Sequence, residues 1–184
     1  MFRPSFLLVP LTPCDLVTGC ALHPGFFIGW GEISADVQTA LASAVALHGS
    51  YAIVVTGHSL GGAIATIAGA YLRNNGYSLD LYTYGSPRVG NLAFVSLVSN
   101  QPGGAYRTTH ADDAAAHVLN PTIVGYRHTS PEYWIDPTDA RGTVTPASVT
   151  VCVGYMITTC NEGTFALLTG AHTWYFQPIG SCPA

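Results

Sequence analysis

Between an apolar, β-branched run, Tyr51-Ala52-Ile53-Val54-Val55-Thr56, and a stretch of small apolar residues over 60–74 stands Gly57-His58-Ser59-Leu60-Gly61-Gly62. No other feature restricts the fold as much. A Gly-x-Ser-x-Gly run between a strand and a helix is the signature of a nucleophile elbow. The turn is so tight that the residues two positions either side of the serine are expected to lack side chains, which accounts for Gly57 and Gly61. Ser59 is then lifted clear of the sheet at a helix N-terminus, where free amides favour developing negative charge.

The segments around the elbow alternate in type. The run at 51–56 is continuously apolar, as in a parallel strand covered on both faces. Residues 60–74 are apolar nearly all round, as in a helix packed inside a protein, and Gly76 stops it. Ser34 is placed to cap a helix over 34–47, closed by Gly49 and Ser50. Further strands are expected at 79–84, 105–109, 123–127, 132–135 and 150–153, with a helix at 91–99 and the last strand pair fit for an antiparallel extension. This order predicts an α/β sheet of mainly parallel strands. No repeat, charge block or low-complexity linker divides the 184 residues, so one domain over 1–184 is expected.

Composition narrows the partners. Charged residues make up 9% of the chain and apolar ones 48%, with six basic residues, all Arg, against ten acids. That balance excludes a cationic face for nucleic acid. The apolar stretches at 6–10, 52–55 and 63–72 fall short of the ~20 residues that cross a bilayer, so no transmembrane segment is expected. The first ten residues make a poor secretory signal, too short in their apolar part and interrupted by Pro. Cysteines at 14, 20, 152, 160 and 182 lack metal-site spacing, so neither metal nor cofactor is expected. Local pairs 14–20 and 152–160 would close two short loops suited to an oxidising, extracellular setting, and would leave Cys182 alone.

A serine hydroxyl needs a base, and the base a carboxylate to orient it. In α/β-hydrolases the chain order is Ser, acid, His. After Ser59 come Tyr106-Arg107-Thr108-Thr109-His110-Ala111-Asp112-Asp113 at a strand end, and Gly170-Ala171-His172-Thr173-Trp174-Tyr175-Phe176 in the last loop. Asp112 and Asp113 both qualify by position. Other residues have blander readings. His58 is expected to pack or hydrogen-bond under the turn, because neighbours in an elbow point apart, and His110 reads as structural. His23 is expected to brace the elbow. Trp174, Tyr175 and Phe176 read as core, and the Arg88 segment, 84–91, as a turn set by Pro and Gly. The sequence assigns no role to His117 or His128.

Six ordered blocks carry a resemblance. They are His23-Pro24-Gly25-Phe26, Thr56-Gly57-His58-Ser59-Leu60-Gly61-Gly62-Ala63, Tyr84-Gly85-Ser86-Pro87-Arg88-Val89-Gly90-Asn91, Thr109-His110-Ala111-Asp112-Asp113, His128-Thr129-Ser130-Pro131-Glu132-Tyr133-Trp134 and Ala171-His172-Thr173-Trp174-Tyr175-Phe176. Through them the chain resembles, over 12–182, the fungal class 3 lipases, secreted α/β-hydrolases that include triacylglycerol lipases and feruloyl esterases. The resemblance implies Ser59 as nucleophile, Asp113 as acid ahead of Asp112, His172 as general base, and the Leu60 amide as an oxyanion donor.

The resemblance also implies an N-terminal helix, first strands, a second oxyanion donor on a loop Ser or Thr, and a lid, all upstream of the Cys14 position. None of these is read in the dozen residues before Cys14, so the chain is expected to be an N-terminally truncated α/β-hydrolase domain, with the partner of Cys182 in the absent part. Past the acid, Ala114-Ala115-Ala116-His117-Val118-Leu119-Asn120-Pro121 replaces the family's Pro-rich wall. The expected function is ester hydrolysis by a secreted monomer on lipid at a water interface, triacylglycerol first, feruloyl or short-chain esters next. A fragment impaired by the loss of an oxyanion donor is the alternative. A peptidase or acyltransferase on the same residues is a third.

Overall fold

The computed structural model describes residues 9–119, 121–136, 144–164 and 170–179; Cys182 and the first eight residues lie outside them. A two-residue hairpin, β1 (Thr12–Pro13) with β2 (Ala21–Leu22), is closed by the disulfide Cys14–Cys20 and leads into α1 (Pro24–Leu47). Then β3 (Ile53–His58), α2 (Leu60–Asn74), β4 (Leu79–Tyr84), α3 (Leu92–Asn100), β5 (Ala105–His110) and the short α4 (Ala114–His117) follow in strict alternation. β6 (Glu132–Ile135), β7 (Val149–Cys152) and a terminal hairpin, β8 (Trp174–Tyr175) with β9 (Gln177–Pro178), complete the described part.

The central sheet runs β3-β4-β5-β6-β7, parallel through β6, with β7 antiparallel at the end. This is the mostly parallel, helix-flanked sheet of the α/β-hydrolase fold. The disulfide Cys152–Cys160 fastens β7 to the turn that follows it.

The alternation of β4 explains how the layers form. Leu79, Leu81 and Thr83 are buried on the face covered by α2, while Tyr82 starts a row of rings on the other face, stacked on Tyr106 with centroids 4.5 Å apart. α2 is seated by small residues, Gly62, Ala63, Ala65, Ala68, Gly69 and Ala70, all buried, and α1 packs on its outer side through Phe26 and Trp30.

Three expectations are corrected. β3 is an edge of the sheet among the described residues, and its Val54 is 54% exposed, so its apolar run does not mean cover on both faces. α1 starts ten residues before Ser34, at Pro24, with Pro at the first helical position and His23 as cap. Residues 123–127 form no strand: Gly125 sits at φ +84° and Arg127 touches Gly90 through an isolated bridge. No helix of the described residues is long and apolar enough to cross a membrane.

Candidate active site

Ser59 occupies the junction of β3 and α2 at φ +56°, ψ −127°, a conformation that costs about 1–3 kcal/mol for a non-glycine residue unless its surroundings impose it. They do so here by hydrogen bonds. The Ser59 amide donates to the Tyr84 carbonyl at 2.9 Å, and its own carbonyl receives the amides of Gly62 at 2.9 Å and Ala63 at 3.3 Å. The Leu60 amide stands at the first helical position beside the serine.

The steric part of the elbow is partly corrected. A Cβ on Gly57 would lie 2.5 Å from the Gly61 carbonyl carbon and 2.7 Å from the Gly62 nitrogen. A Cβ on Gly61 would meet nothing, because that residue faces outward; the second constrained position is Gly62, 2.9 Å from Ser86 Cβ.

The carboxylate arrives from the end of β5. Ala111 takes a positive φ of 45°, with its amide bonded to the Ile135 carbonyl at 2.9 Å and its carbonyl held by Trp134 Nε1 at 2.8 Å and Asn161 Nδ2 at 3.1 Å. That reversal turns Asp113 inward to cap α4 through the Ala115 amide at 2.9 Å. Arg88, fully enclosed, fastens the other end of α4. Its Nη1 donates to the carbonyls of His117, Val118 and Leu119 at 2.8, 3.2 and 3.1 Å, and its Nη2 pairs with Glu162. The residue expected to fix a turn therefore also holds the acid loop, a role whose partners lie too far along the chain to be read from spacing.

His172 lies in a single 3₁₀ turn, Ala171–Thr173. Its Nδ1 is 2.9 Å from both Oδ1 and Oδ2 of Asp113, and its Nε2 is 2.7 Å from Ser59 Oγ. Since the carboxylate can only accept, Nδ1 carries the proton and Nε2 is free to accept from the serine. Asp112 has no such contact and stays half-buried one residue away. Tyr175, expected as plain core, donates its hydroxyl to Asp113 Oδ2 at 2.5 Å. Burial, then the Asp113 charge, hold this phenol well above its ordinary pKa, so it remains a donor.

Beneath the carboxylate, Gly85 is at φ +55°, and a Cβ there would stand 2.5 Å from Asp113 Oδ2 and 3.0 Å from His172 Nδ1.

The remaining histidines make structural contacts, and of these only the one expected of His23 is corrected. His58 is hydrogen-bonded rather than set as the base: its Nε2 is 2.8 Å from the His172 carbonyl, and burial holds its pKa below the ordinary value. His110 Nδ1 is 3.1 Å from the Ala171 carbonyl. His23 caps α1, accepting from the Phe26 amide at 3.4 Å, rather than bracing the elbow. His117 meets Thr164 Oγ1 at 3.3 Å and His128 the Ala116 carbonyl at 2.8 Å.

A cleft of about 470 Å³ opens beside the elbow, bounded by Gly57, His58, Tyr84, Tyr175, Phe176 and Ile179. Phe176, one of the lining residues, is 49% exposed, and Leu60, directly after the serine, is 55% exposed. A second cavity, about 220 Å³, lies among Arg88, Arg107, His128 and Glu132, away from the serine. Among the described residues no cluster of His, Cys, Asp and Glu has the geometry of a metal site.

The sequence model of the family "Lipase (class 3)" matches residues 5–122. The "Secreted mono- and diacylglycerol lipase 1" of Fusarium solani is 48% identical over 169 residues, which cover 92% of this chain and 50% of that protein. The "Secreted mono- and diacylglycerol lipase A" of Penicillium camembertii is 42% identical over 171 residues, 90% of this chain and 54% of that protein. Among solved structures, the crystal structure of a mono- and diacylglycerol lipase from Aspergillus oryzae superposes with a TM-score of 0.89 at 38% identity, covering 96% of this chain and 66% of that one. This chain spans about half the length of the curated relatives it matches.

Proposed function

Because this chain belongs to the class 3 lipase family, we propose that it is the part of a secreted ester hydrolase that carries the Ser59–His172–Asp113 triad, acting on acylglycerols at a lipid–water interface. The hydrogen-bond chain from Ser59 Oγ through His172 to Asp113, 2.7 and 2.9 Å, is the observation that carries the reading.

Ser59 Oγ attacks the acyl carbon as His172 Nε2 takes its proton, and Asp113 stabilises the imidazolium that forms. The tetrahedral oxyanion receives the Leu60 amide at the positive end of α2. Collapse expels the alcohol, which leaves with the proton from His172. Water then attacks the acyl-enzyme, giving its proton to the same nitrogen; the acyl–Oγ bond breaks as Ser59 Oγ takes that proton back from His172, and the free acid departs. The 470 Å³ cleft is lined by Tyr84, Tyr175, Phe176 and Ile179 together with Thr56, His58 and Gln177, and the absence of Asp, Glu, Lys or Arg from that lining, among the described residues, favours an acyl chain over a charged substrate.

The test is hydrolysis of tributyrin emulsion, p-nitrophenyl butyrate and methyl ferulate by this chain and by Ser59→Ala. Glyceride hydrolysis that falls by about 10³-fold or more in the variant is expected. Retention of most activity would overturn the assignment of Ser59, and a preference for methyl ferulate would move the substrate class to feruloyl esters.

A further inference from the structure

The geometry points to a paired-histidine clamp: His58 and His110 are positioning residues that hold two consecutive carbonyls of the turn carrying His172, and so set that imidazole between Ser59 and Asp113. The inference rests on the triad reading above.

The two clamp residues are the last residues of β3 and β5, the strands that deliver the nucleophile and the acid. His58 Nε2 reaches the His172 carbonyl at 2.8 Å, and His110 Nδ1 reaches the Ala171 carbonyl at 3.1 Å. A carbonyl oxygen only accepts, so the two rings must carry their protons on different nitrogens, Nε2 in His58 and Nδ1 in His110. His110 Nε2 is buried with no partner among the described residues, which agrees with a lone proton at Nδ1.

The turn needs such a hold. Ala171–Thr173 is one 3₁₀ turn, held locally by the Thr173 amide and hydroxyl on the Gly170 carbonyl at 3.3 and 3.1 Å and by the Trp174 amide on the Ala171 carbonyl. These bonds close the turn on itself without tying it to the strands carrying Ser59 and Asp113. The clamp fixes it from both flanks. The His58 ring lies 4.5 Å from the His172 ring and 5.9 Å from Tyr175, while the His110 ring meets Tyr175 edge-on at 6.0 Å. Tyr175 is thus wedged between the two imidazoles while its hydroxyl holds Asp113.

The different reach of the two nitrogens makes the clamp testable. A Gln amide nitrogen stands about where a histidine Nε2 does, and an Asn amide nitrogen where Nδ1 does. In ¹⁵N-edited imidazole spectra of the full chain, His58 is expected to show an Nε2–H and His110 an Nδ1–H. The same tautomer in both would overturn the clamp whatever the activity of the chain.

Labelling of Ser59 by a fluorophosphonate supplies the functional arm. The matched variants His58→Gln and His110→Asn are expected to label close to the unsubstituted rate. The exchanged variants His58→Asn and His110→Gln, with the same donor at the wrong reach, are expected to label on the order of 10-fold slower or more, at similar melting temperatures. Equal rates across the four variants, or slow labelling by the matched pair with unchanged melting, would overturn the proposal. Absence of labelling in the unsubstituted chain would instead overturn the triad reading, with the tautomers still deciding the clamp.

Discussion

Tyr175 donates its hydroxyl to Asp113 Oδ2 at 2.5 Å, the same oxygen that lies 2.9 Å from His172 Nδ1. Three residues after the base, the chain supplies the acid with a third donor, beside His172 and the Ala115 amide. A hydrogen bond to a charged group is worth about 1.5–3 kcal/mol. Tyr175→Phe is therefore expected to lower kcat for p-nitrophenyl butyrate by about 10-fold with KM nearly unchanged. An unaltered kcat in steady-state kinetics would show that His172 and the Ala115 amide suffice to orient the carboxylate.

The floor of the site allows no side chain. Gly85→Ala adds a Cβ 2.5 Å from Asp113 Oδ2 at a φ of +55°. Esterase activity is expected to fall by about 10²-fold or more, because a displacement of about 1 Å at the reacting groups costs that much. Circular dichroism of the variant should still show the native secondary structure.

The choice between adjacent carboxylates is sharp. Asp113→Asn removes the negative charge and turns one of the two oxygens facing His172 Nδ1 into a donor, which favours the wrong tautomer, and is expected to lower kcat by about 10³–10⁴-fold. Asp112→Asn, at a half-buried position without those bonds, is expected to leave kcat close to its original value. A reversed order of the two would reassign the acid.

Away from the serine, Arg107 and Glu132 face each other on β5 and β6, 3.1 Å apart and both buried, with Arg107 Nε also on the Thr129 carbonyl at 2.9 Å and Thr109 donating to Glu132. Removing one partner strands a charge. Glu132→Leu is expected to cost about 3–5 kcal/mol in equilibrium urea unfolding, and the double change Arg107→Met with Glu132→Leu distinctly less. Additive losses would mean that the two residues contribute independently and that no charge is stranded by the single change.

Histidine burial sets the acid limit. Burial lowers the pKa of His23, His58 and His128, the last well below its ordinary value with Arg107 and Arg88 adding to the effect. The unfolded chain takes up these protons near pH 6.5 while the native one resists, so this stability is present above that value and lost as pH falls below it. The melting temperature is expected to drop between pH 7 and 5, and His128→Gln to flatten that slope. A slope unchanged by the substitution would place the titration elsewhere.

What could be read from the sequence follows the range of the interactions involved. β4, β5, β6, α2 and α3 begin and end within a residue or two of where periodicity and Gly punctuation put them, because those signals are local. The first turns of α1 contain Gly25, Gly29 and Gly31, which count against a helix. Phe26 and Trp30 packed in the core outweigh them, and Gly29 lets Ile64 of α2 approach. Ser59, Asp113 and His172 stand out by motif and order. The side chains that surround them, Tyr175, His58, His110 and Arg88, act through backbone carbonyls or a carboxylate from distant segments, and no spacing rule announces such contacts.

In its first turns the buried face of α2 is mostly glycine and alanine, and Gly62 already sits against Ser86. Where the reactive oxygen ends up is thus decided by how thin the layer behind it is. Each added methyl on that face would act as a shim, tilting the helix and carrying Ser59 with it. Variants enlarged there should form a graded series in which chemistry fails well before the fold does, a ruler for how much misalignment the reaction tolerates.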